Sequence, residues 1–134
     1  MGKSLDPLEI TLALRLPCDY SHRTGESRFT RQRNGTVMEY PPYREAMWSM
    51  SSEKWVDSPV LDTHLRWILE QLEPRREKVI EILNSGVRGD LFCYSVGYSP
   101  NPPSLPRETV RRAAAIGMKI EIDHYEVHHD GEAI

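Results

Sequence analysis

One stretch constrains this fold more than any other: residues 58–83, reading SPVLDTHLRWILEQLEPRREKVIEIL. Leu61, Leu65, Ile68, Leu69 and Leu72 recur at the spacing of one helical face, which predicts an amphipathic helix. Ser58 has the chemistry of an N-cap, and Pro59 suits the first helical position, where its missing N–H costs nothing. Val60, His64 and Trp67 widen the apolar stripe, so this helix is expected to be buried on more than one side. Pro74 disfavours helix at Glu73 and predicts a break or kink. Val79, Ile80, Ile82 and Leu83 predict a second helix, closed by Asn84-Ser85-Gly86. A helix pair with apolar faces needs another layer to cover it, and the remaining chain supplies strands.

Asp6-Pro7-Leu8-Glu9 is a specific helix start, with Asp as cap, Pro at the first position and Glu placed for a capping box. It predicts a helix over 7–16, although the β-branched residues in ITLALRL also permit a strand. Residues 18–33 are polar and irregular. Asn34-Gly35 is the commonest two-residue hairpin turn, with arms expected at 29–33 and 36–40. Residues 44–50 read as a strand with Ala46, Trp48 and Met50 on one face, and a loop carrying Trp55 follows. The clearest strand is 88–98. Phe92, Tyr94, Val96 and Tyr98 share one face, and Leu91, Cys93, Ser95 and Gly97 the other. Apolar groups on both faces predict a central strand. A proline-rich loop at 99–104 leads to a helix over 106–116, with Gly117 beyond its end, and then to a strand at 118–122. Residues 127–134 read as a tail. The order predicts an α+β fold: a small mixed or antiparallel twisted sheet of roughly three to five strands, with three or four helices packed mainly on one face. One domain over 1–134, with its core at about 5–126, is expected.

Charge and pattern remove several function classes. The net charge of −3 gives no basic face for nucleic acid. No apolar run approaches the ~20 residues of a membrane span. MGKSLDPLEI has no signal-peptide core, so a cytoplasmic location is expected. Cys18 and Cys93 are read as two free thiols in a reducing compartment, a single disulfide being the alternative. The P-loop, G-x-G-x-x-G, G-x-S-x-G, H-E-x-x-H and paired C-x-x-C motifs do not occur in the sequence.

Five landmarks in order resemble a bacterial family, domain of unknown function 4279. They are the helix start Leu5-Asp-Pro-Leu-Glu-Ile-Thr11 running on to Leu14 and Pro17, and the polar turn His22-Arg-Thr-Gly-Glu26. Then come Trp48-Ser49-Met-Ser51, the stretch from His64-Leu65 to Leu72, and the closing Ile120-Glu-Ile-Asp123-His-Tyr125. The resemblance covers about residues 5 to 125, and it implies an architecture without an activity. Family members carry a strand before the first helix. Here only Met1 to Leu5 precede Asp6: either that strand is absent, which would leave a sheet edge open to a partner strand or a second copy, or the chain begins downstream of the true start.

Candidate sites follow from residue type. His22, Arg23, Arg28, Arg31 and Arg33 fall within twelve residues, opposed by Glu26. Arginines there would grip a phosphate or an acidic surface through forked hydrogen bonds, with Arg31 and Arg33 sharing a hairpin face. A solvated, edge-protecting hairpin is the ordinary explanation. His124, His128 and His129 with Asp123 and Asp130 are metal-capable. On a strand, however, His124 and His128 lie about 13 Å apart, so no metal is assigned. His64 beside a core face reads as packed and hydrogen-bonded before it reads as a base. Cys93 reads as core, and Cys18 as the more reactive thiol. Tyr94, Tyr98 and the proline loop would rim a groove near the small residues Ser95 and Gly97, with Trp48 or Trp55 opposite.

The sequence reading therefore takes Arg23, Arg28, Arg31, Arg33, Trp48, Trp55, Tyr94 and Tyr98 as binding residues. It assigns no catalytic residue and no cofactor. It favours a non-catalytic binding module, immunity-protein-like by analogy, that meets a protein partner or a second copy through an exposed sheet edge. The alternative is a small enzyme or ligand-binding domain with a pocket near Trp48, Tyr94 and Tyr98, using His64 or His22 as acid–base.

Overall fold

The computed structural model describes residues 1–128. It is a mixed α and β structure with four α-helices, one 3-10 turn and six strands. Among the described residues no helix is long and apolar enough to cross a membrane. The chain divides into two compact units, Met1–Ser51 with Glu77–Arg88, and Ser52–Arg76 with Gly89–Ile134.

In the first unit, α1 (Pro7–Leu14) begins where its cap signal places it. Asp6 is extended, and its carboxylate accepts the Leu8 N–H at 3.0 Å. The helix stops before Pro17 because Arg15 turns into the left-handed region at φ 54° and donates its N–H to the Thr11 carbonyl. Ile10 and Leu14 face inward, while Leu8 and Leu12 stay exposed. β1 (Tyr20–His22) pairs antiparallel with β4 (Met47–Ser49). The Trp48 indole N–H donates to Thr11 Oγ1 at 2.9 Å, tying β4 to α1. The residues ahead of Asp6 reach the sheet region: Gly2 exchanges two backbone hydrogen bonds with Ala46, whose side chain is fully buried.

β2 (Arg28–Arg31) and β3 (Val37–Tyr40) form the expected hairpin, but not the expected turn. A two-residue primed turn needs positive φ at both central residues. Here Gly35 has φ 85°, whereas Asn34 does not enter that region. Gly35 N–H donates to the Gln32 carbonyl, and the Asn34 carboxamide oxygen accepts the Thr36 N–H. The turn is therefore longer, and it takes Arg33 out of the strand. Residues 77–84 of α3 (Arg76–Asn84) complete this unit and bury Val79.

In the second unit, α2 (Leu61–Leu72) buries Leu65, Leu69 and Leu72. It starts later than its sequence signal. Val60 is the cap residue, while Ser58 Oγ accepts the Val60 N–H at 3.1 Å. A local serine turn has displaced the helix start. Val60 is consequently 54% exposed and does not widen the buried stripe. Pro74 interrupts the α-helix as expected, but without a sharp break. Glu73 keeps helical backbone at φ −58°, ψ −41°, and the 3-10 turn Glu73–Arg75 carries the chain into α3.

β5 (Asp90–Gly97) and β6 (Lys119–Glu126) pair in parallel, with α4 (Arg107–Ala115) between them in sequence. α4 ends in a Schellman arrangement: Met118 N–H donates to the Ala113 carbonyl and Gly117 N–H to the Ala114 carbonyl, with Gly117 at φ 78°. Leu91, Cys93, Ala113, Ile116 and Thr109 are buried with the α2 leucines. The expectation of one sheet with three to five strands is corrected: the described residues form three separate two-stranded sheets. Nor is β5 central, since β6 is its single strand neighbour there.

α4 is fastened to the turn after α2 by a fork. Arg112 Nε and Nη2 donate to the two Glu73 carboxylate oxygens at 2.9 and 2.5 Å. The hydrogen bonds from Arg112 hold the Glu73 carboxyl below its ordinary value, against a smaller opposing effect of burial. A depressed folded value contributes stability above the unfolded value, and that contribution is lost as pH falls through the folded one. Glu73→Gln should cost about 1 kcal/mol at neutral pH, discounted for partial exposure. In urea melts the variant and wild type should converge toward acid; a gap that persists there contradicts the assignment.

Candidate functional site

Side-chain alternation along β5 sends Leu91 and Cys93 into the core and Phe92, Tyr94 and Val96 to the opposite face. Among the described residues that opposite face is uncovered. Phe92 is 70% exposed, Tyr94 65%, Val96 48% and Tyr98, just past the strand, 62%. The parallel register sets Phe92 beside Glu121, Tyr94 beside Asp123, and Val96 beside Tyr125. The Tyr94 and Tyr125 rings meet with centroids 5.4 Å apart. Tyr125 Oη donates to Asp123 Oδ2 at 3.0 Å, and this hydrogen bond raises the phenol above its ordinary value. The result is an aromatic strip along β5 bordered by carboxylates along β6. Parallel sheets ordinarily have both faces covered.

The small residues on the other side of β5 are accounted for. Ser95 Oγ lies 2.9 Å from His124 Nδ1, and a Cβ added at Gly97 would meet the His124 ring at 3.7 Å. His124 Nε2 donates to the Ser99 carbonyl at 2.8 Å. The space beside Ser95 and Gly97 is filled by an imidazole that also holds the start of the proline loop.

The other sequence-predicted residues scatter. Trp48 is half-buried in the first unit, on Thr11. Trp55 is exposed in the second unit and stacks on Trp67 with centroids 6.0 Å apart, so it does not line a groove with Tyr98. The arginines do not converge. Arg23 pairs with Asp6 at 3.2 Å, and Arg28 lies over the Tyr43 and Tyr40 rings at 4.8 and 5.5 Å. Arg31 sits opposite Val37 on the hairpin, and Arg33 lies in the turn, so these two do not share a strand face.

His22 is buried and stacked on Tyr43, with centroids 3.5 Å apart. Its Nε2 faces the Glu45 carbonyl at 3.0 Å and must carry the proton, because a carbonyl only accepts; Nδ1 then accepts from the Tyr20 hydroxyl. His64 is held in the same manner, Nε2 by the Ser58 carbonyl and Nδ1 by Ser52 Oγ, both at 2.7 Å. Both histidines organise backbone, as expected for His64 beside a core. Both cysteines are free, Cys93 is buried, and burial raises its thiol above the ordinary value.

Among the described residues no group of three or more His, Cys, Asp and Glu could hold a metal ion. His129 and Asp130 lie outside the described residues. A cleft of about 550 Å³ in the first unit is lined by Lys3, Asp6, Glu9, Glu45 and Arg88 among others. Its charges are of both signs, and Arg88 is paired with Glu45. A second, of about 340 Å³, runs between α4 and β6 over Leu105, Val110, Ile120 and Ile122. Neither is lined by Trp48, Tyr94 or Tyr98.

The sequence places Phe92 on one face with Tyr94 and Tyr98 without marking it as a binding residue, and Tyr125, Glu121 and Asp123 escape notice as their companions. The signal available was the alternation in 119–126, where Ile120, Ile122 and His124 separate Lys119, Glu121, Asp123 and Tyr125.

No curated protein and no solved structure matches the chain. A family model does: domain of unknown function (DUF4279), over residues 1–127, which takes in every helix and strand described above. The chain is therefore a member of the DUF4279 family.

Proposed function

We propose that the protein is a non-catalytic binding module of a bacterial cytoplasm, and that it engages a protein partner through the outer face of β5–β6. The observation that carries this reading is the row Phe92, Tyr94 and Val96, joined by Tyr125, left uncovered on a parallel sheet. Rigid aromatic side chains on a strand supply contact area at low entropic cost, as interface anchors do. The carboxylates of Glu121 and Asp123 favour a partner with basic groups. An immunity-protein-like role, in which such a face caps a basic partner, is one form of this reading and rests on analogy. His22 and His64 have both ring nitrogens engaged with their own chain, which argues against either as a free acid–base.

The test is comparative affinity capture from the source organism. Wild type should retain a saturable partner. Phe92→Thr/Tyr94→Thr should lose it at least tenfold while melting within about 0.5 kcal/mol of wild type, because both side chains are exposed. Equal retention by the two proteins contradicts the reading.

A further inference from the structure

The β2–β3 hairpin is exposed on both faces along its whole length. An isolated two-stranded hairpin is marginally stable at best in water, so a covering surface would stabilise it. One of its faces offers Phe29 and Val37, both exposed, to such a surface. That face carries Arg31 against Glu39, and Arg33 stands in the adjoining turn, two positive charges less one negative, an excess of one positive. The outer face of β5–β6 carries Asp90, Glu121 and Asp123 against Lys119, three negative less one positive, an excess of two negative.

Like pairing of either surface would set arginine against arginine or carboxylate against carboxylate, which costs several kcal/mol across an interface. Opposite pairing sets positive against negative and covers both apolar sets. At ~200 Å² per ring, the exposed parts of Phe92, Tyr94, Tyr98 and Tyr125 offer on the order of 500 Å², much of the ~800 Å² that each partner contributes to a standard interface.

We infer that a second copy of this chain is an occupant of the β5–β6 face, docking through its β2–β3 hairpin. The inference rests on the reading of that face as a binding surface and names what binds it. A reciprocal exchange closes a two-fold dimer, and a single contact per copy extends into a chain of copies.

Sedimentation velocity tests this on the intact protein, from about 2 to 200 µM, a range that spans ordinary weak association. Wild type should rise above the 15.5 kDa of one chain as concentration increases. Added salt should weaken the association, because charges contribute to it. Arg31→Glu/Arg33→Glu and Glu121→Lys/Asp123→Lys should each associate at least tenfold more weakly. Mixing the two variants should restore association, since the hairpin of the first is then acidic and the face of the second basic. Circular dichroism melts establish that both variants fold. A wild type that stays at one chain's mass overturns the inference, as do reversals that leave association unchanged. Should the chain prove monomeric while the face is nonetheless protected in cells, the binding reading survives and only the second copy is excluded.

Discussion

Leu69→Ala should destabilise the protein by about 3–4 kcal/mol and lower its melting temperature by roughly 10 °C. Leu69 is completely buried at the middle of α2, in a core with Leu65, Leu72, Leu91, Cys93, Ala113 and Ile116. Removing its isobutyl group loses the transfer free energy of the missing carbons. It also leaves a cavity, because α2 is pinned on the neighbouring layer and cannot collapse into the space. Leu12→Ala is the matched control. Leu12 is 67% exposed on α1, so the same chemical change should move stability by no more than about 0.5 kcal/mol. Denaturant melts of the two variants measure the difference directly. Equal effects would mean that the burial assigned to α2 is wrong.

His22→Ala should cost about 2–3 kcal/mol. The imidazole is 5% exposed, stacks on Tyr43, and bonds the Glu45 carbonyl and the Tyr20 hydroxyl. Truncation removes the stack and leaves two polar groups to find other partners. His22→Phe keeps a ring against Tyr43 but gives up both hydrogen bonds, so it should fall between wild type and alanine, at about 1–2 kcal/mol. An alanine variant as stable as wild type would show that β1 is not held through this residue.

Much of this fold is legible where the signal is local. Asp6-Pro7 specifies the start of α1, Gly117 the end of α4, and period-two alternation the faces of β5. Errors of one or two residues came from competition between neighbouring backbone signals. Ser58 could cap a helix or close a turn, and it does the latter. Pro74 does end α2, but the chain runs on through a 3-10 turn that contains it and not through a sharp break. The larger error concerned β5. Alternation says which residues share a face, but not whether another layer covers that face. Phe92, Tyr94 and Val96 are as apolar as core residues, so the pattern alone predicts the second buried side of a central strand. The same row is exposed, and that exposure makes it the candidate site. The arginines show a related limit of sequence spacing. Proximity in sequence does not bring side chains together when Arg23 is claimed by Asp6, Arg28 by two tyrosine rings, and Arg33 by a turn.

The most direct test of the account is hydroxyl-radical footprinting of the protein inside its source cells, set against the purified protein at low concentration. Phe92, Tyr94, Tyr98 and Tyr125 should be oxidised readily when the protein is dilute and pure, because all four side chains are at least half exposed. These four should be strongly protected in the cell, with exposed Leu8 and Leu12 on α1 labelled equally in both settings. Equal oxidation of the four aromatic residues in cells and in dilute solution would contradict it.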